Sequence, residues 1–541
     1  MLRTLKRDTL NKTNSMKPKK PTGMILDADK PLSKSLVWKL QADFYANQGP
    51  EAWIKGIVPQ YITTNPYIAH LYAKTVFAYC RDLVSDPGFD SGTTLYILEL
   101  AAGVGRFTYA FLNSFLPMLE NSSLRGLKFK YIITDLAERN VSYWLNHSFL
   151  KPYFECGVLD CTTFDMTKDE ELHLRYSDEL LCKDKLSNPL ILFANYTFDS
   201  LPQDTFYVND GELYEGLITL SEAEGPVDAT DHSILSGLTY DYTDHLIQGG
   251  SYYDEENIND ILLFYQEHLQ DSAFSLPIVA LRCLNRLMTL FGDDLLLIST
   301  DKGYRNIDSM NQIYHPFLSK HGSISLTVNF HAMELYFQSL GGKAIHSIFE
   351  HENVTMSLFF IGKRPHDFIE TSLTYREIVE SIGPDDFYTI KKAVVPMNQS
   401  LSTRELLTFL RYTRWDSRTF LEFYNTFLKR ITEEEDFPRE EMVMAIHKVW
   451  EYFLPIGEEG DLAYCLGTLL GYFGYDREAI TLFLSSIEFY GEDAGIFYEI
   501  ALCYYNLQEF ELSLNYLEEA LALEPDHTEA NQMKELLQST Y

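Results

Sequence analysis

Two carboxylates stand at the ends of apolar runs whose lengths are typical of strands. Glu99 follows the run Leu95 to Leu98, and Asp135 follows the run Lys128 to Thr134. Short continuous apolar runs indicate parallel strands that are buried on both faces. Since ligands of open α/β sheets bind at the carboxyl ends of the strands, both acids are expected at one edge of a sheet.

The residues that follow Glu99 decide which ligand this edge would accept. Ala101, Gly103 and Gly105 make a turn of minimal side chains, and apolar residues at helical spacing begin after Arg106. A strand, a tight turn and a helix bring backbone N–H groups and a helix N-terminus against a ligand. A fixed acid would repel a pyrophosphate, so a ligand with an ammonium or sulfonium group is expected. For the glycines alone, an ordinary strand-to-helix turn is the alternative.

Asp135 also has two interpretations. An acid at the end of the second strand can accept hydrogen bonds from two ribose hydroxyls. It can equally cap the helix that follows. Its pairing with Glu99 is what favours the ligand site.

Asn195 and Asp199 follow a further predicted strand, Pro189 to Ala194. Spaced four apart at a strand's carboxyl end, they can bind polar groups of a substrate or shape the mouth of a pocket. A turn capped by Asn195 and closed by Pro202 is the alternative. We predict that Asn195 and Asp199 are the catalytic residues on the acceptor side.

The stretch from Glu99 to Gly105 resembles motif I of the class I S-adenosylmethionine (SAM) methyltransferases, an acid followed by three glycines at alternate positions. Ala101 stands where that motif has its first glycine. The resemblance implies a doubly wound, Rossmann-like α/β sheet with SAM as cofactor. It assigns Glu99 to the methionine amino group, and Ala101, Gly103 and Gly105 to backbone contacts.

Two more cofactor residues follow from the same resemblance. Asp135 would hold the ribose. A third strand is expected at Cys156 to Leu159, with Asp160 in the loop after it. In class I methyltransferases this loop meets the adenine, so Asp160 is assigned there.

The segment Asn195 to Pro202 resembles the Asn-Glu-x-x-Asp-Ala-Leu-Pro motif of the MidA-like (DUF185-type) methyltransferases. Tyr61 to Pro66 and His321 to Phe330 resemble an early loop and a late strand of that family, so the likeness covers roughly residues 35 to 365. Tyr196 stands where the family has Glu. The family includes mitochondrial protein arginine methyltransferases linked to respiratory complex I assembly, which implies transfer to a protein side-chain nitrogen.

The remaining sequence divides by composition. Residues 1–30 are basic and predict a disordered tail, with an organellar presequence as the alternative. Residues 31–90 predict an N-terminal helical segment, and residues 91–370 the methyltransferase domain. Within it, residues 221–275 are acidic and rich in tyrosine, which indicates an inserted lid or substrate-side segment, with a solvated surface excursion as the alternative.

Beyond residue 370 the pattern is helical. Residues 371–456 predict a linker or docking region. In residues 457–541 two 34-residue units align, with Gly467 and Phe483 recurring as Ala501 and Leu517. This spacing of small and large positions is typical of tetratricopeptide (TPR) repeats, although an unrelated pair of helical hairpins is the alternative.

Charge and composition limit the partners. The net charge of −34 argues against nucleic acid and favours a basic polypeptide. No apolar run approaches the roughly 18 residues that span a bilayer. Seven scattered cysteines without a CxxC pair indicate reduced thiols in a cytoplasmic or organelle-matrix setting.

Together these features predict a SAM-dependent methyltransferase whose TPR-like repeats recruit a protein acceptor or an assembly partner. Two alternatives stay open. One is a methyltransferase-fold scaffold with weak or no catalysis, in which the repeats are the working surface. The other is a small-molecule methyltransferase.

Overall fold

The computed structural model describes residues 23–181, 188–222, 233–310, 314–320, 322–362 and 368–540. The strands are β1 (Ile25–Pro31), β2 (Leu95–Leu100), β3 (Phe129–Asp135), β4 (Leu159–Thr163), β5 (Leu172–His173), β6 (Leu180–Leu181), β7 (Leu190–Asn195), β8 (Asp204–Asn209), β9 (Glu212–Glu222), β10 (Leu238–Leu246), β11 (Ser272–Leu276), β12 (Leu295–Asp301), β13 (Gly303–Tyr304), β14 (Ser319–Lys320), β15 (Ile324–Ser325), β16 (Val328–Asn329), β17 (Lys343–His346) and β18 (Thr355–Ile361).

The α-helices are α1 (Leu36–Gln48), α2 (Glu51–Ile54), α3 (Tyr61–Thr64), α4 (Pro66–Val84), α5 (Arg106–Glu120), α6 (Glu138–Asn146), α7 (Lys151–Glu155), α8 (Ser233–Gly237), α9 (Glu256–His268), α10 (Ile278–Phe291), α11 (Phe330–Ser339), α12 (Ile369–Val379), α13 (Pro384–Val394), α14 (Thr403–Tyr412), α15 (Ser417–Glu433), α16 (Arg439–Glu451), α17 (Leu462–Tyr472), α18 (Asp476–Tyr490), α19 (Ala494–Asn506), α20 (Phe510–Leu523) and α21 (Thr528–Thr540).

The largest sheet has the strand order β17-β18-β12-β7-β2-β3-β4. The five strands β12, β7, β2, β3 and β4 are parallel, and β18 runs antiparallel between β12 and β17. The chain builds outward from β2 in both directions, so a topological switch point lies between β2 and β7. The predicted doubly wound sheet is confirmed, and the strands expected at 128–134 and 189–194 are β3 and β7.

Helices cover both faces of this sheet, as parallel sheets require. On one face α4 and α5 bury aromatic side chains such as Tyr72 and Phe111. On the other face α10 buries Leu281 and Leu284. A separate hydrophobic layer therefore lies on each face of the sheet.

A second, antiparallel sheet has the order β1-β9-β8-β11, with β10 paired to β9. Because β1 pairs with β9, the disordered tail predicted for residues 1–30 is wrong from Ile25 onward. The solvated excursion considered for 221–275 is also wrong for its described part, since β10 and β11 pair with neighbours and bury Leu238 and Phe274. Residues 1–22 and 223–232 lie outside the described ranges.

The C-terminal helices pack as successive hairpins. A Cβ at Gly467 would lie 2.8 Å from the Phe483 ring, and Ser513 Oγ donates to Ala501 O at 2.8 Å. The small positions predicted from the 34-residue spacing thus lie where α17 meets α18 and α19 meets α20.

The helical region is joined closely to the sheet. The Tyr375 hydroxyl of α12 donates to Met356 O at 2.5 Å, so the folded unit extends past the boundary expected near residue 370. Residues 453–458, which we name the strap, bury Leu454 and Ile456 in the core beneath α5.

Two further expectations concern membranes and cysteines. In the ranges given above, no helix is both long and apolar enough to cross a bilayer. The cysteines of those ranges are free thiols, most of them buried.

Candidate active site

The turn after β2 has a left-handed backbone at three alternate positions. The angle φ is +52° at Ala101, +58° at Gly103 and +79° at Gly105. Glycine adopts this region freely, whereas a residue with a Cβ loses about 1–2 kcal/mol there. The glycines thus stand at positions where the turn needs a positive φ. Ala101 is strained, because it adopts a positive φ where the motif has glycine.

Asp135 joins this turn to the next strand. Its Oδ2 accepts a hydrogen bond from Gly103 N at 3.1 Å, and its Oδ1 accepts one from Ala137 N at 3.0 Å. Burial raises the pKa of this carboxyl to about 6, although both amides oppose the shift. Asp135, the acid expected for ribose, therefore forms one site with the glycine turn at the switch point. The capping alternative accounts for only one of its two backbone hydrogen bonds, the one from Ala137 N.

Two indole rings enclose the turn. Trp144 Nε1 donates to Gly103 O at 3.0 Å, and a Cβ at Gly103 would lie 3.0 Å from the Trp53 ring. Trp53 stacks on Tyr45, with ring centroids 5.9 Å apart. We name Tyr45 and Trp53 the aromatic cover, because they lie between the turn and the N-terminal helices.

The aromatic cover reaches from the cofactor side to the acceptor side. The Tyr45 hydroxyl lies near the side chains of Ser200 and Ser323, and it is close enough to Asp135 and Asp199 for both negative charges to raise its pKa. Burial is the main reason that the pKa of Tyr45 rises to about 12. Asp135, Asp199 and Tyr45 thus lie near one another at the carboxyl edge of the sheet, and we name the place between them the crevice.

The helix that carries Tyr45 is fixed by one amide side chain. Gln41 Nε2 donates to Ser200 O at 3.1 Å, and Gln41 Oε1 accepts from Ile324 N at 2.6 Å. At the other end of α1, the Arg139 guanidinium donates to Asn47 O. The cover is therefore held against both the loop after β7 and helix α6.

Asp199 forms a carboxyl pair with Asp301 at the end of β12. Asp301 Oδ2 accepts hydrogen bonds from the amides of Phe198 and Asp199 at 3.1 Å each, and Ser200 Oγ donates to Asp199 Oδ1 at 2.9 Å. Burial raises the pKa of Asp199 to about 7 and that of Asp301 well above its usual range, with the neighbouring carboxyl adding to the latter shift. We therefore expect the two carboxyl groups to share a proton near neutral pH.

Glu99 does not face the crevice. Its Oε2 accepts hydrogen bonds from Thr108 Oγ1 and Tyr131 OH, both at 2.6 Å, beneath α5. Burial raises its pKa to about 7. The expected contact with a methionine amino group is a wrong prediction, because alternation along β2 turns residues 95, 97 and 99 toward the same helix layer.

Asn195 is turned the same way. Its Oδ1 accepts from the Tyr72 hydroxyl, which also lies 2.8 Å from Thr300 Oγ1. Its Nδ2 is buried and has no hydrogen-bond partner among the described residues. The predicted acceptor-side role is therefore not supported, and Asn195 instead links the end of β7 to α4.

Asp160 lies within β4 rather than in a loop, paired with Ile132 and three positions before the level of Asp135. Its Oδ1 accepts from Tyr176 N at 3.1 Å, and its Oδ2 lies 3.6 Å from Lys130 Nζ. The adenine assignment is wrong, because the third strand begins later than its apolar pattern indicates.

Tyr196 has a φ of +49°, a second strained residue at a strand end beside the switch point. Its hydroxyl is buried near Asp199, Asp301 and Asp385. A tyrosine where the related motif has Glu thus places a neutral phenol beside the carboxyl pair.

The nucleoside half of SAM fits these residues better than its amino-acid half. Each carboxylate oxygen accepts more than one hydrogen bond, so Asp135 has lone pairs left for ribose hydroxyls. The carboxylate of Glu99 is not available for the ammonium group of SAM, because it faces the helix layer beneath α5. Trp53 would have to shift, since it covers the turn.

Sequence reasoning missed Tyr45, Trp53 and Asp301. Asp301 follows an apolar run, Leu295 to Thr300, in the same way as Asp135 follows its own, and that signal predicts it. The two aromatic residues carry no such signal, because their helices reach the sheet edge only through the tertiary fold.

Neither a protein-family model nor a curated protein matches the sequence significantly. Two solved structures from Burkholderia thailandensis are similar to it. One is a COG1565 superfamily protein (11% identity, TM-score 0.33), and the other is a COG1565 superfamily member and candidate methyl transferase bound to S-adenosyl-homocysteine (11% identity, TM-score 0.32). Each alignment covers 65% of this chain and 91% of the other.

Proposed function

We propose that the chain is a SAM-dependent methyltransferase that modifies a side-chain nitrogen of a protein. The observation that carries this proposal is the contact between Asp135 and Gly103 N, which unites a ribose-binding acid and a left-handed glycine turn at the switch point of a doubly wound sheet. The resemblance to the MidA-like family makes arginine the acceptor that we favour.

SAM supplies a methyl group already activated by its sulfonium, so the chain must align the partners and exclude water. Asp135 would hold the ribose, and the amides near Gly103 and Gly105 would line the cofactor. The aromatic cover would close over both. This division leaves the carboxyl pair for the acceptor.

Asp199 is the group that we assign to the acceptor proton. A nitrogen that gains a methyl group must release a proton, and an acid with a pKa of about 7 can take one at neutral pH. Asp301 is fully buried and does not reach the acceptor itself. We assign it an indirect role, in which it influences the protonation state of Asp199. The pair also favours a cationic acceptor, since one shared negative charge lies beside it.

One observation favours a scaffold as a second candidate. Trp53 lies over the glycine turn, and Ala101 occupies a strained position where a glycine is usual. A chain that had lost cofactor binding would keep such a filled crevice. The two proposals differ in whether SAM displaces the cover.

Titration calorimetry with SAM and with S-adenosylhomocysteine tests the proposal. Asp135→Ala should weaken binding about tenfold to a hundredfold, since charge-assisted hydrogen bonds worth about 1.5–3 kcal/mol are lost. Asp160→Ala is the matched control, because it also removes a buried carboxylate bound to two backbone amides. Equal affinities in the two folded variants would remove Asp135 from the site.

Transfer of radiolabelled methyl groups into a cell extract tests the acceptor class. Label in protein supports the proposed reaction. Label only in the small-molecule fraction would replace the protein acceptor, and no binding of either cofactor form would favour the scaffold.

A further inference from the structure

Two cations and a histidine lie together where the helical region contacts α4. Arg414 belongs to the turn between α14 and α15, and its Nη2 donates a hydrogen bond to His70 Nδ1 at 3.2 Å. Lys74 stands four residues after His70 on α4, so the two side chains lie on the same face of that helix. We name His70, Lys74 and Arg414 the basic cluster.

The basic cluster lacks a counterion. Within the ranges that the structure describes, neither Lys74 nor Arg414 forms an ion pair, whereas Arg81 of the same helix pairs with Glu370 at 3.2 Å. Asp386 of α13, an acid that also approaches this region, caps the start of its own helix instead. Two uncompensated cations are unusual in a chain whose net charge is −34.

Each side chain of the basic cluster offers a hydrogen-bond donor. A guanidinium can only donate, so His70 Nδ1 accepts and the ring proton lies on Nε2. Burial, Arg414 and Lys74 all lower the pKa of His70, to about 3, which keeps this ring neutral at neutral pH. Arg414 Nε is buried and has no hydrogen-bond partner among the described residues. An acceptor placed there would remove the cost of that unpaired donor.

The basic cluster is accessible and lies apart from the crevice. His70, Lys74 and Arg414 are each partly exposed to solvent. Tyr72, two residues after His70, turns toward the sheet and contacts Asn195. Since residues two apart lie on nearly opposite sides of a helix, His70 faces away from the sheet. An anion can therefore reach the basic cluster without entering the crevice.

We propose that the basic cluster binds a phosphate dianion, either free or as a monoester. Two fixed cations balance the two charges of such a group, whereas a carboxylate would leave one cation uncompensated. The bound anion would join α4 to the turn between α14 and α15, and so connect the sheet with the helical region. This inference does not rest on the proposed function, since none of its residues takes part in that reaction.

Equilibrium dialysis of the full-length protein with radiolabelled inorganic phosphate tests the inference, at about pH 8 and constant ionic strength. We expect Lys74→Gln and Arg414→Gln each to weaken binding about tenfold, the loss of one charge-assisted contact. Arg81→Gln is the matched control, because it removes from the same helix a cation that Glu370 already neutralises. We expect it to change the affinity less than twofold.

Unlabelled phosphoserine and acetate are added as competitors. Stronger displacement by phosphoserine than by phosphate would identify a monoester as the ligand, and the reverse would identify free phosphate. Lys74→Gln leaves the contact between Arg414 and His70 in place, so it decides the result if Arg414→Gln does not fold. Absence of binding to the unaltered protein would mean that Arg414 only docks its turn on α4. That result, equal losses in Lys74→Gln and Arg81→Gln, or equal displacement by acetate and phosphoserine would overturn the inference.

Discussion

At the scale of single residues, the carboxyl pair of Asp199 and Asp301 makes a pH-dependent contribution. A group whose pKa rises on folding stabilises the native state at low pH and loses that effect as the pH rises through its folded value. Since the carboxyl of Asp199 has a pKa of about 7 in the folded state and about 4 in the unfolded chain, this contribution should fade between about pH 4 and pH 7.

Asp199→Asn should flatten that decline. The amide can donate to Asp301, so Asp301 ionises without repulsion. Urea unfolding at several pH values measures the effect, and the slopes of the two proteins should differ by up to about 1.4 kcal/mol per pH unit. Parallel profiles would mean that the pair does not share a proton.

The sequence predicted the strand ends but not the direction of every side chain at them. Asp135 was identified because it closes its strand, where a carboxylate reaches the edge. Glu99 and Asn195 stand at similar ends, yet the alternation of their strands turns both beneath α4 and α5. Because alternate residues of a strand face the same side of the sheet, the position of Glu99 four residues after Leu95 indicates that both side chains face the same helices.

At the scale of elements, the aromatic cover makes α1 and α2 the part that must adjust when a cofactor enters. S-adenosylhomocysteine should change the tryptophan emission of the protein, because Trp53 lies against the turn that the ligand would occupy. Trp53→Phe should abolish most of that change. Trp415→Phe, a control in the helical region, should retain it, and equal responses would show that the cover does not move.

The antiparallel sheet shows what local pattern cannot give. β1 pairs with β9 across about 190 residues, as in the register of Lys30 with Ile218. β1 alone is short and largely exposed, and β10 ends in exposed polar residues, so the sequence indicated a tail and a surface excursion. Only the shared burial of residues such as Ile218 and Leu238 makes them a sheet.

At the scale of the whole molecule, the strap predicts that the sheet and the helical region unfold together. Leu454 lies in the core of the sheet, the Arg106 guanidinium binds the Glu458 carboxylate, and His147 Nε2 lies 2.8 Å from Pro455 O. Calorimetry should therefore show one transition. Two transitions would mean that the halves are independent.

Two substitutions that each create a cavity, one in the sheet core and one in the helical core, test whether the two parts unfold together. Leu454→Ala and Leu466→Ala each remove a fully buried leucine, the first from the sheet core and the second from the helical core. Each should cost about 2–5 kcal/mol and lower the same transition. A shift of separate transitions by the two variants would contradict cooperative unfolding.

The strap also dictates the order in which a newly made chain can be completed. The core around β2 and α5 contains Leu454 and Ile456, which a ribosome adds roughly 20 to 70 s after it has passed residue 100. Until then the apolar face that the strap covers stays open to solvent and to other chains. Synthesis of this protein should therefore depend on chaperones that shield this face, and an interrupted chain should aggregate rather than accumulate as a small folded enzyme.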